Sequence, residues 1–197
     1  MRLCSMHGPG STMDADHILL TVYNVCNQMM VDRGFRIIDS IPTIDELYAR
    51  MEAMEHVIAG QHDTANIRLF FLIEDRVPVR IVRQLMEGAL DFSKTVIVSM
   101  DGPTSFTAKE TGTTCPMRVQ YLKYKDMFTN VTKHHCVPYH SLYTGPRQYA
   151  DADYPKILST DRVVEYYDFQ VGDLVKIVRR FGVPEERAYI RIVCHPL

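Results

Sequence analysis

Apolar residues first recur at helical spacing: Ile18, Val22, Val25 and Met29, with Leu19, Cys26 and Met30 beside them. One face of a helix returns every 3.6 residues, so this stripe predicts a helix with Asp14 or Asp16 as its cap. Gly34 ends it, because glycine takes the left-handed C-terminal position without a Cβ clash. A second stripe, Leu47, Met51, Met54 and Ile58, follows the capping-box sequence Thr43-Ile44-Asp45-Glu46 and stops at Gly60. The pattern then turns continuous. Residues 66–73 hold Leu69-Phe70-Phe71-Leu72-Ile73, and residues 94–100 centre on Val96-Ile97-Val98. Both runs are too apolar for either face to meet water, which predicts buried strands with parallel pairing. Between them Pro78 opens a helix through Leu90, with Val79, Val82, Leu85, Met86 and Ala89 inward.

Downstream the pattern is less decisive. Asp101-Gly102-Pro103 reads as a tight turn. Periodicity leaves residues 117–132 open between one long strand and a strand followed by a short helix, and Val137-Pro138 is expected to end a strand. Residues 141–153 (SLYTGPRQYADAD) read as a linker. After it, Ser159 or Thr160 can cap a short helix over 161–167, and Val171-Gly172-Asp173 turns the chain. Residues 174–179 alternate as a strand, 181–187 form a Gly/Pro-containing connection, and 188–194 read as a closing strand. So short a tail is thin for an independent core and should lean on the first domain or on a partner. The expected organisation is a flexible leader over 1–13, an N-terminal domain over 14–140, the linker 141–153 and a C-terminal domain over 154–197.

Composition narrows the function classes. At 197 residues and 46% hydrophobic the chain can bury a real core, as one domain or two small ones. A formal net charge of -2 means that nucleic-acid contact needs a local patch. Cys4, Cys26, Cys115, Cys136 and Cys194 are odd in number, widely spaced and without a CxxC, the usage of reduced thiols in a cytosolic or nuclear setting. No apolar run approaches the ~20 residues of a membrane span, and residues 1–13 lack the apolar centre of a signal peptide. Without secretion, the sequon Asn130-Val131-Thr132 reads as a chance match.

No residue set calls for catalysis. His134, His135, Cys136 and His140 are zinc-type donors, but their spacing fits no closed four-ligand pattern. On a strand, His134 and His135 would point to opposite faces, so no metal and no cofactor are expected. Glu74 and Asp75 suit a magnesium nuclease, yet no Glu-x-Lys or Asp-x-Lys pair follows. Cys115-Pro116 is read as an inert thiol, and no phosphate-cradling glycine loop occurs. Two segments suit phosphate contact: residues 102–109 (GPTSFTAK), and residues 118–133 with Arg118, Lys123, Lys125, Lys133, Tyr121 and Tyr124.

The sequence Thr129-Asn130-Val131-Thr132-Lys133-His134-His135-Cys136-Val137-Pro138-Tyr139-His140, with the C-terminal module, resembles a known family. It is similar to the fifth subunit shared by eukaryotic nuclear RNA polymerases, a small jaw-and-assembly subunit whose assembly domain stands alone as a small subunit of the archaeal RNA polymerase. That family reads roughly N-I-T-x-H-x-L-V-P-x-H, then L-P-[KR]-I, D-P-x-x-R-Y-x-G-x-x-x-G-x-V-x-K-I-x-R and a closing Y-R-[LI]. Pro155, Lys156, Ile157, Asp161, Tyr166, Gly172, Val175, Lys176, Ile177, Arg179, Arg191 and Ile192 fall into that pattern. Arg162, Glu165 and Asp168 depart from its proline, arginine and glycine, and Phe181 and Glu185 from a serine and a glycine. Such divergence fits a copy encoded by a large DNA virus.

The resemblance implies an α/β (α+β) fold: a nuclease-like jaw domain with a strand–helix–strand core, then a small mixed-sheet assembly domain. It implies a non-catalytic structural subunit of a DNA-directed RNA polymerase, anchored on the largest subunit, with the jaw near downstream duplex DNA. Tyr166, Lys176, Ile177, Arg179 and Arg191 are the expected anchor, and Thr104, Ser105 and Lys109 the expected DNA contacts. The compartment is then the nucleus, or the virion and host cytoplasm for a viral copy. The alternatives are a free-standing DNA-binding regulator, which would bind duplex by itself, and a nuclease-like enzyme, whose cleavage would need Glu74.

Overall fold

A computed structural model describes residues 12–41, 43–63, 65–87, 91–114, 118–179 and 187–196. The expected leader up to residue 11, Cys115, and the departures Phe181 and Glu185 lie outside the described residues. The chain divides into two compact units, Met1–Thr129 and Asn130–Leu197.

In the first unit, α1 (Thr12–Asp32) forms on the first apolar stripe, with Val22, Cys26, Met29 and Met30 fully buried. Gly34 follows at φ +88°. A short strand, β1 (Arg36–Asp39), comes next and was not expected. α2 (Ile44–Ala53) is capped by Thr43, whose hydroxyl accepts from Glu46 N at 3.3 Å. It ends before the apolar stripe does, because Met54 adopts the left-handed conformation and its N–H reaches the carbonyls of Arg50 and Met51. Ile58 and Gly60 instead belong to β2 (Ile58–His62). A Cβ on Gly60 would lie 3.0 Å from Phe35 Cβ and 3.3 Å from Ile67 Cγ2, so this glycine marks close packing within a sheet and not a helix end.

The sheet runs in the order β1-β2-β3-β4-β5. β3 (Ala65–Phe71) is antiparallel to β2 and, as expected, parallel to β4 (Lys94–Ser99). β5 (Arg118–Lys123) extends the parallel half and runs into a 3-10 turn at Tyr124–Met127, which resolves the ambiguity over 117–132. Every residue of β4 is buried, as a strand covered on both faces requires. α3 (Val79–Glu87) covers one face, packing Ile81, Val82 and Leu85 on Phe70, Leu72 and Ile97. The expected helix end at residues 88–90 lies outside the described residues. Residues 102–109 are not a loop throughout: α4 (Ser105–Thr114) begins there.

The second unit starts upstream of the linker that composition suggests at 141–153. Residues 131–133 form a 3-10 turn, and β6 (Tyr139–Leu142) begins after Pro138, where a strand end was expected. β6 belongs to a four-stranded sheet of order β6-β8-β9-β7, with β7 (Lys156–Leu158), β8 (Leu174–Arg179) and β9 (Arg187–Cys194). The stretch before β7 is tied down: Tyr154 is buried, and its hydroxyl accepts from Gln148 N at 2.8 Å and Tyr149 N at 3.3 Å. α5 (Arg162–Tyr167) is capped by Asp161, which accepts from Val163 N at 2.9 Å, and not by Ser159 or Thr160. One sheet face and α5 bury Ile157, Val164, Val175, Ile177 and Val193. The other buries Tyr154, Leu174 and Ile192.

Two departures from the family pattern have local explanations. Arg162 fills the first helical position, which asks only for helical φ after a good cap. Asp168 sits at φ 61° as the left-handed C-cap of α5, where the family pattern has glycine. Aspartate tolerates that region better than most residues.

Candidate partner-docking site

Strand alternation sorts the side chains of the second sheet. Val175, Ile177 and Arg179 of β8 share a face with Tyr189, Arg191 and Val193 of β9 and with His140 of β6. Toward α5 this face is core; beyond it lies a groove of about 540 Å³. Its walls include Pro138, His140, Asp161, Arg179, Tyr189 and Arg191. The Arg179 guanidinium carbon lies 5.7 Å from the centre of the exposed Tyr189 ring, a cation–π contact. Arg191 is held in place by donating from Nη1 to the Lys156 carbonyl at 3.1 Å. Arginine and tyrosine beside an apolar floor are the residue types that carry binding energy at protein interfaces.

The five residues expected at the anchor take four different positions. Arg179 and Arg191 line the groove, and Ile177 is buried beneath it. Tyr166 is 3% exposed and serves the frame: its hydroxyl accepts from Asn130 Nδ2 at 2.9 Å. Asn130 Oδ1 in turn accepts from Thr132 N at 3.0 Å and Thr132 Oγ1 at 2.6 Å. Lys176 is exposed on the opposite sheet face, in register with Ser141 and Ile190. Period-two alternation already separates positions 176 and 179, and the same parity groups Tyr189 with Arg191. Tyr189 and His140 were not among the expected site residues.

His140 is 8% exposed, and its Nδ1 lies 2.7 Å from the Pro138 carbonyl, to which it donates. Burial is the main force pushing its pKa below the ordinary 6.5; Arg191 acts in the same direction, while the Pro138 carbonyl and Asp161 oppose it. The unfolded chain therefore takes up this proton first as pH falls through 6.5. Stability is full above that value and drops until the folded imidazole also titrates. Urea midpoints of the second unit should fall from about pH 7.5 to about pH 5.5, and His140→Gln should lessen the slope. An unchanged slope in the variant would contradict this.

In the first unit the expected DNA contacts divide as well. The Thr104 hydroxyl accepts from Thr107 N at 3.2 Å and lies 2.7 Å from Thr107 Oγ1, so it caps α4. Ser105 and Lys109 are exposed one helical turn apart. Glu74 accepts from Arg80 Nη2 at 3.1 Å, a surface ion pair. Among the described residues, no group of three or more metal-type ligands includes it.

Residues 129–193 match the family model described as RNA polymerase Rpb5, C-terminal domain. The second unit is thus similar to the Rpb5 C-terminal domain. The matched segment begins one residue before the second unit and contains every residue named above as lining the groove. DNA-directed RNA polymerases I, II, and III subunit RPABC1 of Caenorhabditis elegans is 23% identical over 135 residues, covering 62% of this chain and 64% of that protein. The Caenorhabditis briggsae protein of the same name gives the same figures. DNA-directed RNA polymerase V subunit 5A of Arabidopsis thaliana is 22% identical over 186 residues, covering 84% of this chain and 83% of the relative. The match to the nematode proteins thus spans less than two thirds of their length, and the plant match spans both units.

Proposed function

We propose that the chain is a non-catalytic structural subunit of a multisubunit DNA-directed RNA polymerase. The observation that carries this reading is the Rpb5 C-terminal match over the unit that bears the open groove. The relatives' names, all of polymerase subunits, support it. The second unit docks on the largest subunit through Arg179, Tyr189 and Arg191. Tyr166 and Ile177 shape that anchor, and Lys176 meets a separate part of the partner. The first unit acts as the jaw beside downstream duplex, with Ser105 and Lys109 toward phosphate and Thr104 holding their helix. A chain of net charge -2 needs no DNA affinity of its own for this, because the anchor gives weak contacts a high effective concentration. In a cell with nuclear polymerases the chain works in the nucleus; encoded by a large DNA virus, it works in the virion and host cytoplasm.

The test is affinity purification of the tagged full chain, with mass spectrometry of what comes with it. The largest polymerase subunit is expected among the recovered proteins. The double variant Arg179→Glu, Arg191→Glu should recover at least about 30-fold less, since a central interface arginine is worth roughly 2 kcal/mol or more. Undiminished recovery by a folded double variant would overturn the docking face. Absence of polymerase subunits from the wild-type sample would overturn the subunit reading.

A further inference from the structure

His134, His135 and Cys136 lie on a turn, not on the strand that would send neighbouring side chains to opposite faces. The backbone sets this arrangement. Asn130 caps the 3-10 turn Val131–Lys133, His134 N donates to the Val131 carbonyl at 3.3 Å, and Val137 N donates to the His134 carbonyl at 2.9 Å. Three consecutive side chains are thereby gathered on one side. The two imidazole ring centres are 4.7 Å apart, and Cys136 Sγ lies 3.1 Å from His135 Nε2. One donor atom from each residue falls within 4.8 Å of the other two.

We infer that His134, His135 and Cys136 form a three-ligand site for a zinc-class transition-metal ion, with its fourth position open to water. Zinc bonds of about 2.0–2.1 Å to nitrogen and about 2.3 Å to sulfur put tetrahedral donors roughly 3.3–3.6 Å apart. The donor atoms already stand within 4.8 Å of one another, on side chains that are all exposed. Two nitrogens and a thiol select zinc and its neighbours over magnesium or calcium, which take oxygen. His134 Nδ1 accepts from Cys136 N at 3.2 Å, and a cation would take over that lone pair from the amide hydrogen. All three side chains are exposed, so an ion has a path in. Binding forms the metal–sulfur bond and releases the thiol proton to solvent, so affinity weakens as pH falls. Cys136 also lines the groove, which puts the ion at the edge of the docking face. The site stands on its own donors and does not depend on the polymerase reading.

The test uses the reduced full chain, titrated with Zn2+ by calorimetry and with Co2+ by absorbance. One ion per chain is expected, with a cobalt–thiolate charge-transfer band and no response to Mg2+. Cys136→Ser should abolish the band. His134→Ala, His135→Ala and Cys136→Ser should each weaken zinc binding more than about 100-fold, because losing even a supporting partner of a ligand costs about 10–100-fold. Circular dichroism of these surface variants should match wild type, and Cys194→Ser should bind as wild type does. No binding at ~1 mM Zn2+ would overturn the site. So would unchanged affinity in any one of the three ligand variants.

Discussion

Lys94→Met is expected to raise the chain's resistance to urea at neutral pH by on the order of 4 kcal/mol. Lys94 opens β4, is 8% exposed, and stands in register between Ile67 of β3 and Arg118 of β5. Burial leads in depressing its pKa from 10.5 to about 6, with Arg33 and then Arg118 adding repulsion. The unfolded chain holds this proton up to 10.5, while the folded chain gives it up above about 6. The unfolded state therefore binds more protons across that window, and stability rises with pH through it. Methionine keeps the apolar stem and removes the titration. Urea unfolding at about pH 6.5, 7.5 and 9 should show a rising midpoint in wild type and a flatter, higher line in the variant. Equal slopes in the two proteins would refute the assignment.

Asn130→Ala should lower the stability of the second unit by about 2–3 kcal/mol. Its amide accepts from Thr132 N and Oγ1 and donates to the Tyr166 hydroxyl. These bonds join the entry of the second unit to the buried side of α5. Tyr166→Phe removes the acceptor of the last bond and should cost about 1 kcal/mol. The double variant should then cost less than the two single effects added, because both remove the same bond. Circular dichroism against urea measures all three. Strict additivity would mean that the 2.9 Å contact contributes nothing. The sequon geometry thus has a structural role in which secretion plays no part.

Elements with strong local signals were readable directly. The apolar runs of β3 and β4 gave both strands and their parallel pairing, since a strand buried on both faces needs apolar side chains at every position. α1, α2 and the strands β8 and β9 were legible from local pattern too, though not the pairing of β8 with β9. β1 was not readable: it is short, and its residues are only half-buried or exposed. β2 was hidden because Ile58 prolongs a helical spacing that Met54 interrupts by a backbone choice, left-handed without glycine. The split of Lys176 from Arg179 was there to be read in strand alternation, whereas the charge pattern drew them together.

Spacing and residue type settled α1, β3, α3 and β4, the cap at Thr43, the turn at Gly34 and the family likeness of the tail, because these depend on neighbours along the chain. Contacts between distant segments settled the rest. The pairing of β6 with β8 drew residues 130–142 into the second unit. Packing buried a lysine at the head of β4. The return of β9 beside β8 set Tyr189 next to Arg179, and the placing of the 131–140 segment against them opened a groove. Burial and proximity across a sheet are properties of the folded chain, and no local pattern encodes them.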